Sequence, residues 1–407
     1  MINIIDKSNC CGCNACVQRC SKQCITMYED EEGFLYPKVD AAVCIDCSLC
    51  EKVCPVLNQS ESKKPLQIFA AKNKNEKQRL RSSSGGLFIL LAEQTIKQGG
   101  TVFGARFDEN WEVEHCHAET FKELEPLMRS KYVQSRIGNT YKETEQLLKQ
   151  SRQVLYVGTS CQIAGLRKFL RKEYDNLLAV DFICHGVPSP GVWRNYLKEL
   201  INQSMRSTMS GKNTILSSSL KTMPVITDIN FREKQLGGYS WKKFGFVVQG
   251  MSPLKADENS VLLSSIFGEN TYMKGFLKNL YLRPSCYGCP AKAGKSGSDL
   301  TIGDFWGINK IKPEIDDEKG IGAILVHTHK GAEILETIRQ DKVAMTYDEV
   351  IKENPAIYSS VVLTDRRKRF WKYYMKTNSV EESVAKALIV TFMDKIIGCI
   401  KIYLGRA

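Results

Sequence analysis

Two cysteine runs of one shape occupy residues 10 to 54: Cys10-x2-Cys13-x2-Cys16-x3-Cys20 and Cys44-x2-Cys47-x2-Cys50-x3-Cys54-Pro55. Three closely spaced thiolates with a more distant fourth is the donor pattern of a [4Fe–4S] cluster, whose chemistry is single-electron transfer. In the two-cluster arrangement the fourth cysteine of each run serves the other cluster. This predicts one site of Cys10, Cys13, Cys16 and Cys54 and a second of Cys44, Cys47, Cys50 and Cys20. Structural zinc takes four cysteines too, but commonly from two separated C-x2-C pairs. A disulfide framework would need an oxidising compartment. Met1 to Asn9 offers only a short apolar patch, with no basic start, long apolar core or small-residue cleavage site, so the expected location is cytoplasmic. Ser21 stands where the second run has Pro55, which loosens the turn after Cys20 without removing a ligand.

These runs occupy a small part of 407 residues, so the expectation is a two-cluster ferredoxin domain over 1–57, a polar linker over 58–66 (Asn58 to Leu66), a main domain over 67–372 and a helical tail over 373–407. In the main domain, apolar runs of strand length alternate with helical stretches: Ile68 to Ala71, Gly86 to Lys97, Thr101 to Phe107, Gln153 to Val157, Gln162 to Arg171 and Leu177 to Ile183. That alternation predicts an α/β layer structure. Between about Ser204 and Gly250 the pattern changes, with strands expected over Ile226 to Arg232 and Phe244 to Gln249 around Gly237-Gly238, which reads as an antiparallel insertion. Alternation resumes at Leu300 to Gly303, Ala323 to His327 and a helix from about Gly331 to Arg339. The fold class expected is an α+β ferredoxin-like domain followed by an α/β domain.

The formal charge of +12 invites a nucleic-acid reading. The basic residues are scattered and no nucleic-acid motif occurs, so no such partner is expected. A cluster with four thiolates nets about −2, so much of the Lys and Arg excess serves as counter-charge. Val384 to Leu404 is strongly apolar but interrupted by Lys386, Asp394, Lys395 and Lys401, which argues against a spanning helix and leaves ordinary packing or membrane-surface contact.

Four further cysteines sit at expected strand ends or in loops: Cys161, Cys184 and the pair Cys286-x2-Cys289. Spacing alone does not decide their role, because buried cysteines often serve as small hydrophobes. From about Ile68 to Lys372, however, the chain resembles the beta subunits of hydrogenases and dehydrogenases that use the deazaflavin coenzyme F-420. The resemblance rests on Ser82-Ser83-Ser84-Gly85-Gly86, Ser130-Lys131-Tyr132, Gly158-Thr159-Ser160-Cys161-Gln162, Cys184-His185-Gly186-Val187-Pro188, Cys286-Tyr287-Gly288-Cys289 and Asp299-Leu300-Thr301-Ile302-Gly303-Asp304-Phe305-Trp306-Gly307. It implies a flavin-binding domain holding FAD beside a third [4Fe–4S] cluster, with Cys161, Cys184, Cys286 and Cys289 as the ligands.

The flavin reading also has local logic. Gly85 and Gly86 let the backbone approach a diphosphate, and the helix they open directs free N–H groups at it; an ordinary helix entry after a serine cap is the competing account. With Ser84, the resemblance adds Lys131 and Tyr132 as flavin contacts, against which stands a solvated surface pair, and Asp304 and Trp306 as pocket lining, against which stands packing. The catalytic candidates are His185 and Lys131. His185 either donates a proton near the flavin or hydrogen-bonds a cluster sulfur. His115, His117, His327 and His329 lie in no motif, and Cys11, Cys24, Cys116 and Cys399 are left without a role. No G-x-G-x-x-G joins a strand to a helix, so no Rossmann nicotinamide site is expected.

Together these features predict an iron–sulfur flavoprotein oxidoreductase that passes electrons between the ferredoxin clusters and FAD, with hydride transfer to or from a deazaflavin or another organic substrate. The alternatives are an electron-transfer subunit of a larger hydrogenase or dehydrogenase complex and a reductase in a cell-surface polysaccharide pathway. The expected partners are a redox protein, either ferredoxin or another member of such a complex, and a small hydride acceptor or donor.

Overall fold

The computed structural model describes residues 1–209, 225–252 and 255–389. At the N-terminus, β1 (Ile25–Glu29) and β2 (Leu35–Val39) form an antiparallel hairpin with Ile25 opposite Val39, flanked by one-turn helices at Ala15–Arg19 and Leu49–Lys52. Its small interior is built from Ile2 and Ile25 together with Cys16, Cys24, Cys50 and Cys54. So little apolar surface cannot stabilise a fold of this size alone, and sulfur ligation and docking must supply the rest.

The main body is an eight-stranded mixed sheet. Its strands are β3 (Gln67–Asn73), β4 (Thr101–Phe107), β5 (Val113–Ala118), β6 (Val154–Thr159), β7 (Leu177–Phe182), β11 (Leu300–Asp304), β12 (Gly322–Val326) and β13 (Gln340–Ala344), in the order β13-β3-β12-β11-β7-β6-β4-β5. The strands β4, β6, β7 and β11 run parallel to their neighbours in that central group, and the flanking pairs are antiparallel. Alternate residues serve opposite faces, as the strand period requires. Leu155, Val157, Leu178 and Val180 bury with the helix Leu87–Lys97, while Val154, Tyr156, Leu177 and Ala179 bury with the helix Ser160–Leu170 and with Cys11, Cys13 and Val53 of the ferredoxin part.

A separate three-stranded antiparallel sheet, in the order β10-β9-β8, is formed by β8 (Val225–Glu233), β9 (Gly245–Ser252) and β10 (Lys255–Ile266). It packs with Val192, Trp193 and Tyr196 of the helix Pro190–Met209 and with Phe370, Trp371 and Tyr374. The third strand, β10, is not apparent in the sequence pattern. Nor are β5 and β13: Val-Glu-His-Cys-His-Ala and Gln-Asp-Lys-Val-Ala read as polar because each lies at a sheet edge with one side to solvent.

The helix Asp365–Thr377 runs without a break through residue 372, where the sequence suggests a boundary, and the next helix, Val380–Leu388, buries Val380, Val384 and Ala387 in the same core. The first turns of the apolar C-terminal stretch therefore pack internally. The rest of that stretch, from 390, and Cys399 lie outside the described residues. No described helix is long and apolar enough to cross a membrane.

Candidate functional site

The ferredoxin thiols gather in the crossed pattern that the spacing suggests. Cys20, from the first run, lines a small cavity of about 20 Å³ with Cys44, Cys47 and Cys50 of the second. Conversely, Cys54 lies within electrostatic reach of Cys10, Cys13 and Cys16. Burial, and then the Cys10 and Cys54 sulfurs, push the Cys16 thiol up to about 12. A set of buried thiolates that repel one another is a donor set suited to a cationic metal–sulfide core. The thiols ring spaces instead of converging on a point: among the described residues, no three His, Cys, Asp or Glu side chains are placed to hold a single metal ion.

A second thiol set forms where four separate segments meet. Cys161 sits in the first turn of the helix after β6, Cys184 just after β7, and Cys286 and Cys289 in and after the turn Pro284–Gly288. Their sulfurs act electrostatically on one another. Burial raises Cys184 to about 12 and Cys289 to about 11. Lys292, whose Nζ donates to the carbonyls of Cys184 and Ala356, places a positive charge beside the set.

Between the two groups stands Cys11. It is buried, hydrogen-bonded on one side to Cys13 and on the other to Cys161. No motif singles it out, since Cys161 is distant in the chain. Close approach here depends on Gly165, where an added Cβ would lie 2.7 Å from Cys13 Cβ and 2.9 Å from its Sγ. Arg283 completes the junction. It is fully buried, with Nε donating to the Cys10 carbonyl at 2.7 Å, Nη1 to Gln134 Oε1 at 2.9 Å, and Nη2 to the Leu35 carbonyl at 2.9 Å and to Cys10 Sγ at 3.6 Å. Its guanidinium also lies over the rings of Tyr36 and Phe34. Other ties across the same boundary run from Gln134 Nε2 to the Cys11 carbonyl, from the Tyr141 amide to Gln18 Oε1, and between Arg367 and Glu32.

On the other side of Cys184 opens a cavity of about 410 Å³, a size usual for cofactor and ligand pockets. It lies at the C-terminal ends of the parallel strands, where Gly158 and Thr159 of β6, Phe182 of β7, and Gly303 and Asp304 of β11 contribute to its wall. Strands that fan apart leave such a crevice in α/β sheets. The sequence-derived candidates Ser84, Gly85, Gly86, Lys131, Tyr132, His185, Asp304 and Trp306 all line it.

Their roles differ in detail from the sequence expectation. Gly85 is small because an added Cβ would meet the Gly322 amide at 2.6 Å and the Ala71 carbonyl at 2.7 Å, so strand packing explains that glycine without a ligand. Gly86, at φ +75°, caps the helix Leu87–Lys97 and has no side chain to occupy the free amides, which face the cavity. Lys131 is no solvated surface residue: its Nζ donates to the carbonyls of Pro126 and Met128 at 2.7 and 2.6 Å and of Arg129 at 3.3 Å. Part of its stem reaches the cavity, but the ammonium is enclosed by protein, and that burial, with Arg129 beside it, lowers it to about 7. His185 donates from Nε2 to Asn279 Oδ1 at 2.7 Å and packs edge-on against Phe276; burial lowers its basicity. Trp306 stacks on Trp241 with centroids 5.4 Å apart, and Asp304 accepts from Trp241 Nε1 at 3.1 Å and from Arg232 at 2.6 Å.

The structure adds residues that no motif marked. Arg232, on β8, is buried between Phe244 and Trp306 and lines the cavity. Burial opposes its charge, but the Asp304 carboxylate outweighs that and holds it protonated, and its Nε has no hydrogen-bond partner among the described residues. Arg129 pairs with Asp228 at 2.8 and 2.7 Å from a left-handed backbone at φ +68°. His115 is buried, donates to the Val157 carbonyl at 3.1 Å and so accepts from Ser135 Oγ at 2.9 Å. Burial lowers it to about 4, which keeps it neutral. None of these has a local signature, because each is brought in from a different strand or loop.

Residues 9–58 match the family model of the 4Fe-4S dicluster domain, and residues 151–351 match that of the C terminus of the coenzyme F420 hydrogenase/dehydrogenase beta subunit. No curated protein matches the chain. Among solved structures, a chain of the xenon-derivatised F420-reducing [NiFe] hydrogenase complex from Methanosarcina barkeri is similar at 14% identity, with 80% of this chain and 91% of that one covered and a TM-score of 0.44.

Proposed function

The chain carries the C-terminal region of the coenzyme F420 hydrogenase/dehydrogenase beta-subunit family behind a 4Fe-4S dicluster domain, and on that premise we propose that it is an iron–sulfur flavoprotein oxidoreductase. In this reading electrons pass between the two ferredoxin clusters, a third cluster on Cys161, Cys184, Cys286 and Cys289, and FAD, with hydride exchanged with a deazaflavin or another organic molecule.

The observation that carries the proposal is the unbroken succession of buried groups from Cys13 through Cys11 to Cys161, and from Cys184 directly onto the wall of the cavity. The cavity's residues fit a flavin with an anionic tail. Uncapped amides of the helix beginning at Leu87 favour a phosphate, the orphaned Nε of Arg232 offers a buried donor, and Tyr132, Phe276, Phe244 and Trp306 provide aromatic walls. A bound flavin would supply the exchange between single electrons and a hydride. Lys131 holds the 126–131 loop in shape through its three carbonyl contacts, and Asn279 fixes the orientation of His185, the candidate proton donor. His115, Ser135 and Gln162 form a neutral hydrogen-bonded wall, with Gln162 Nε2 donating to Ser135 Oγ at 2.9 Å.

Anaerobic reconstitution tests this directly. The intact chain should bind flavin and about twelve irons. Cys161→Ser should remove about four irons, leave the flavin bound and abolish its reduction by ferredoxin-linked electrons. Absence of flavin from the reconstituted chain refutes the reading. A subunit role in a larger complex is the second possibility, favoured by the family's hydrogenase and dehydrogenase membership; a stable partner retained through native purification would select it.

A further inference from the structure

The outer ferredoxin cavity is lined by five thiols, although a cluster takes four. The fifth is Cys24. Its Sγ lies 3.4 Å from Cys20 Sγ, and it also reaches the Cys44 thiol. Its backbone is anchored at the start of the hairpin, where its carbonyl accepts from the Asp40 amide at 2.8 Å. The intervening turn brings the two sulfurs side by side: the Gln23 amide donates to the Cys20 carbonyl at 3.2 Å, with Gln23 left-handed at φ +51°. At the equivalent place after Cys54 stands Asn58, whose Nδ2 donates to the Cys54 carbonyl at 3.1 Å, so the inner site has no such spare sulfur four residues on. The outer site is also the one open to solvent, with Cys47 exposed and Cys20 and Cys44 half-buried.

We propose that Cys24 is a reserve ligand of the outer cluster, able to replace Cys20 as the fourth thiolate. The proposal rests on the crossed ligation described above. In the exchange the Cys20 sulfur–iron bond breaks and a Cys24 sulfur–iron bond forms. The Cys24 proton passes to the departing Cys20 thiolate across the contact between them, and no electrons change hands. The consequence is an exposed cluster that survives loss or transient protonation of one ligand.

The test is iron content and the electron paramagnetic resonance of the reduced, anaerobically reconstituted full chain in four variants. Cys20→Ala and Cys24→Ala should each keep the full complement of iron, with an altered outer-cluster signal in Cys20→Ala only. The double variant should lose about four irons. Loss of those irons in Cys20→Ala alone overturns the proposal, as does their retention in the double variant. Cys47→Ala, which has no spare thiol assigned to it, should lose them. If it does not, the ligand assignment itself is wrong and the proposal falls with it, a result distinct from failure of the exchange.

Discussion

Replacing Arg283 by methionine removes a positive charge from the junction between the ferredoxin part and the second thiol set while keeping a long side chain to fill its space. The guanidinium Nη2 lies 3.6 Å from Cys10 Sγ and acts electrostatically on Cys11 and Cys286. With an assumed separation of about 6 Å from the charge to the transferred electron and an effective dielectric constant of about 20, the attraction is about 3 kcal/mol. For a one-electron couple, in which a tenfold change corresponds to about 59 mV, that is on the order of 100 mV. A positive charge favours the reduced cluster, so Arg283→Met should lower the midpoint potential of the inner cluster by this order. It also strands the Cys10 and Leu35 carbonyls and Gln134 Oε1. At roughly 1–3 kcal/mol for an unsatisfied buried group, and without strict additivity, the variant should lose on the order of 3 kcal/mol of stability. Arg283→Lys separates the two effects: the potential should stay near that of the parent while much of the stability is lost. The assay is a redox titration followed by electron paramagnetic resonance, alongside urea denaturation under anaerobic conditions. If all three midpoint potentials in Arg283→Met match the parent, the electrostatic reasoning is wrong.

Gly165→Val pushes a side chain into the space held by Cys13 and should cost about 1–3 kcal/mol. It should also loosen docking of the ferredoxin part, seen as faster proteolysis in the 58–66 stretch; a cleavage rate equal to the parent's would show that this contact does not govern docking. Lys131 is lowered to about 7 in the folded state. Between that pH and the ordinary lysine range the unfolded chain carries a proton that the folded chain lacks, so this residue makes stability rise with pH, by up to about 1.4 kcal/mol per pH unit. Urea midpoints at about pH 7 and pH 8.5 should therefore rise less steeply in Lys131→Met than in the parent. Equal slopes would mean that the ammonium is not enclosed.

The difference between what the chain's pattern reveals and what it hides follows from distance along the backbone. The ferredoxin cysteines were legible because three of each four ligands lie within seven positions, so one turn of chain presents them together whatever surrounds it. The runs around β4, β6 and β7 were legible because both sides of these strands are buried, which demands continuous apolar sequence. The edge strands β5 and β13 face solvent on one side and read as loops.

The third thiol set has no such local basis. Cys161, Cys184, Cys286 and Cys289 become neighbours only because β6 and β7 pair in parallel and the turn at Pro284–Gly288 folds back against their ends. Without the family resemblance, composition and spacing left their role open. Arg232, His115, Arg129 and Arg283 enter the site from separate strands and loops, each held by partners far away in sequence. Sequence by itself determined which atoms could bind iron in the ferredoxin part, because ligation there depends on local chain geometry. The tertiary structure alone decided what those atoms face, since packing of the sheet sets which distant side chain fills the space beside each sulfur.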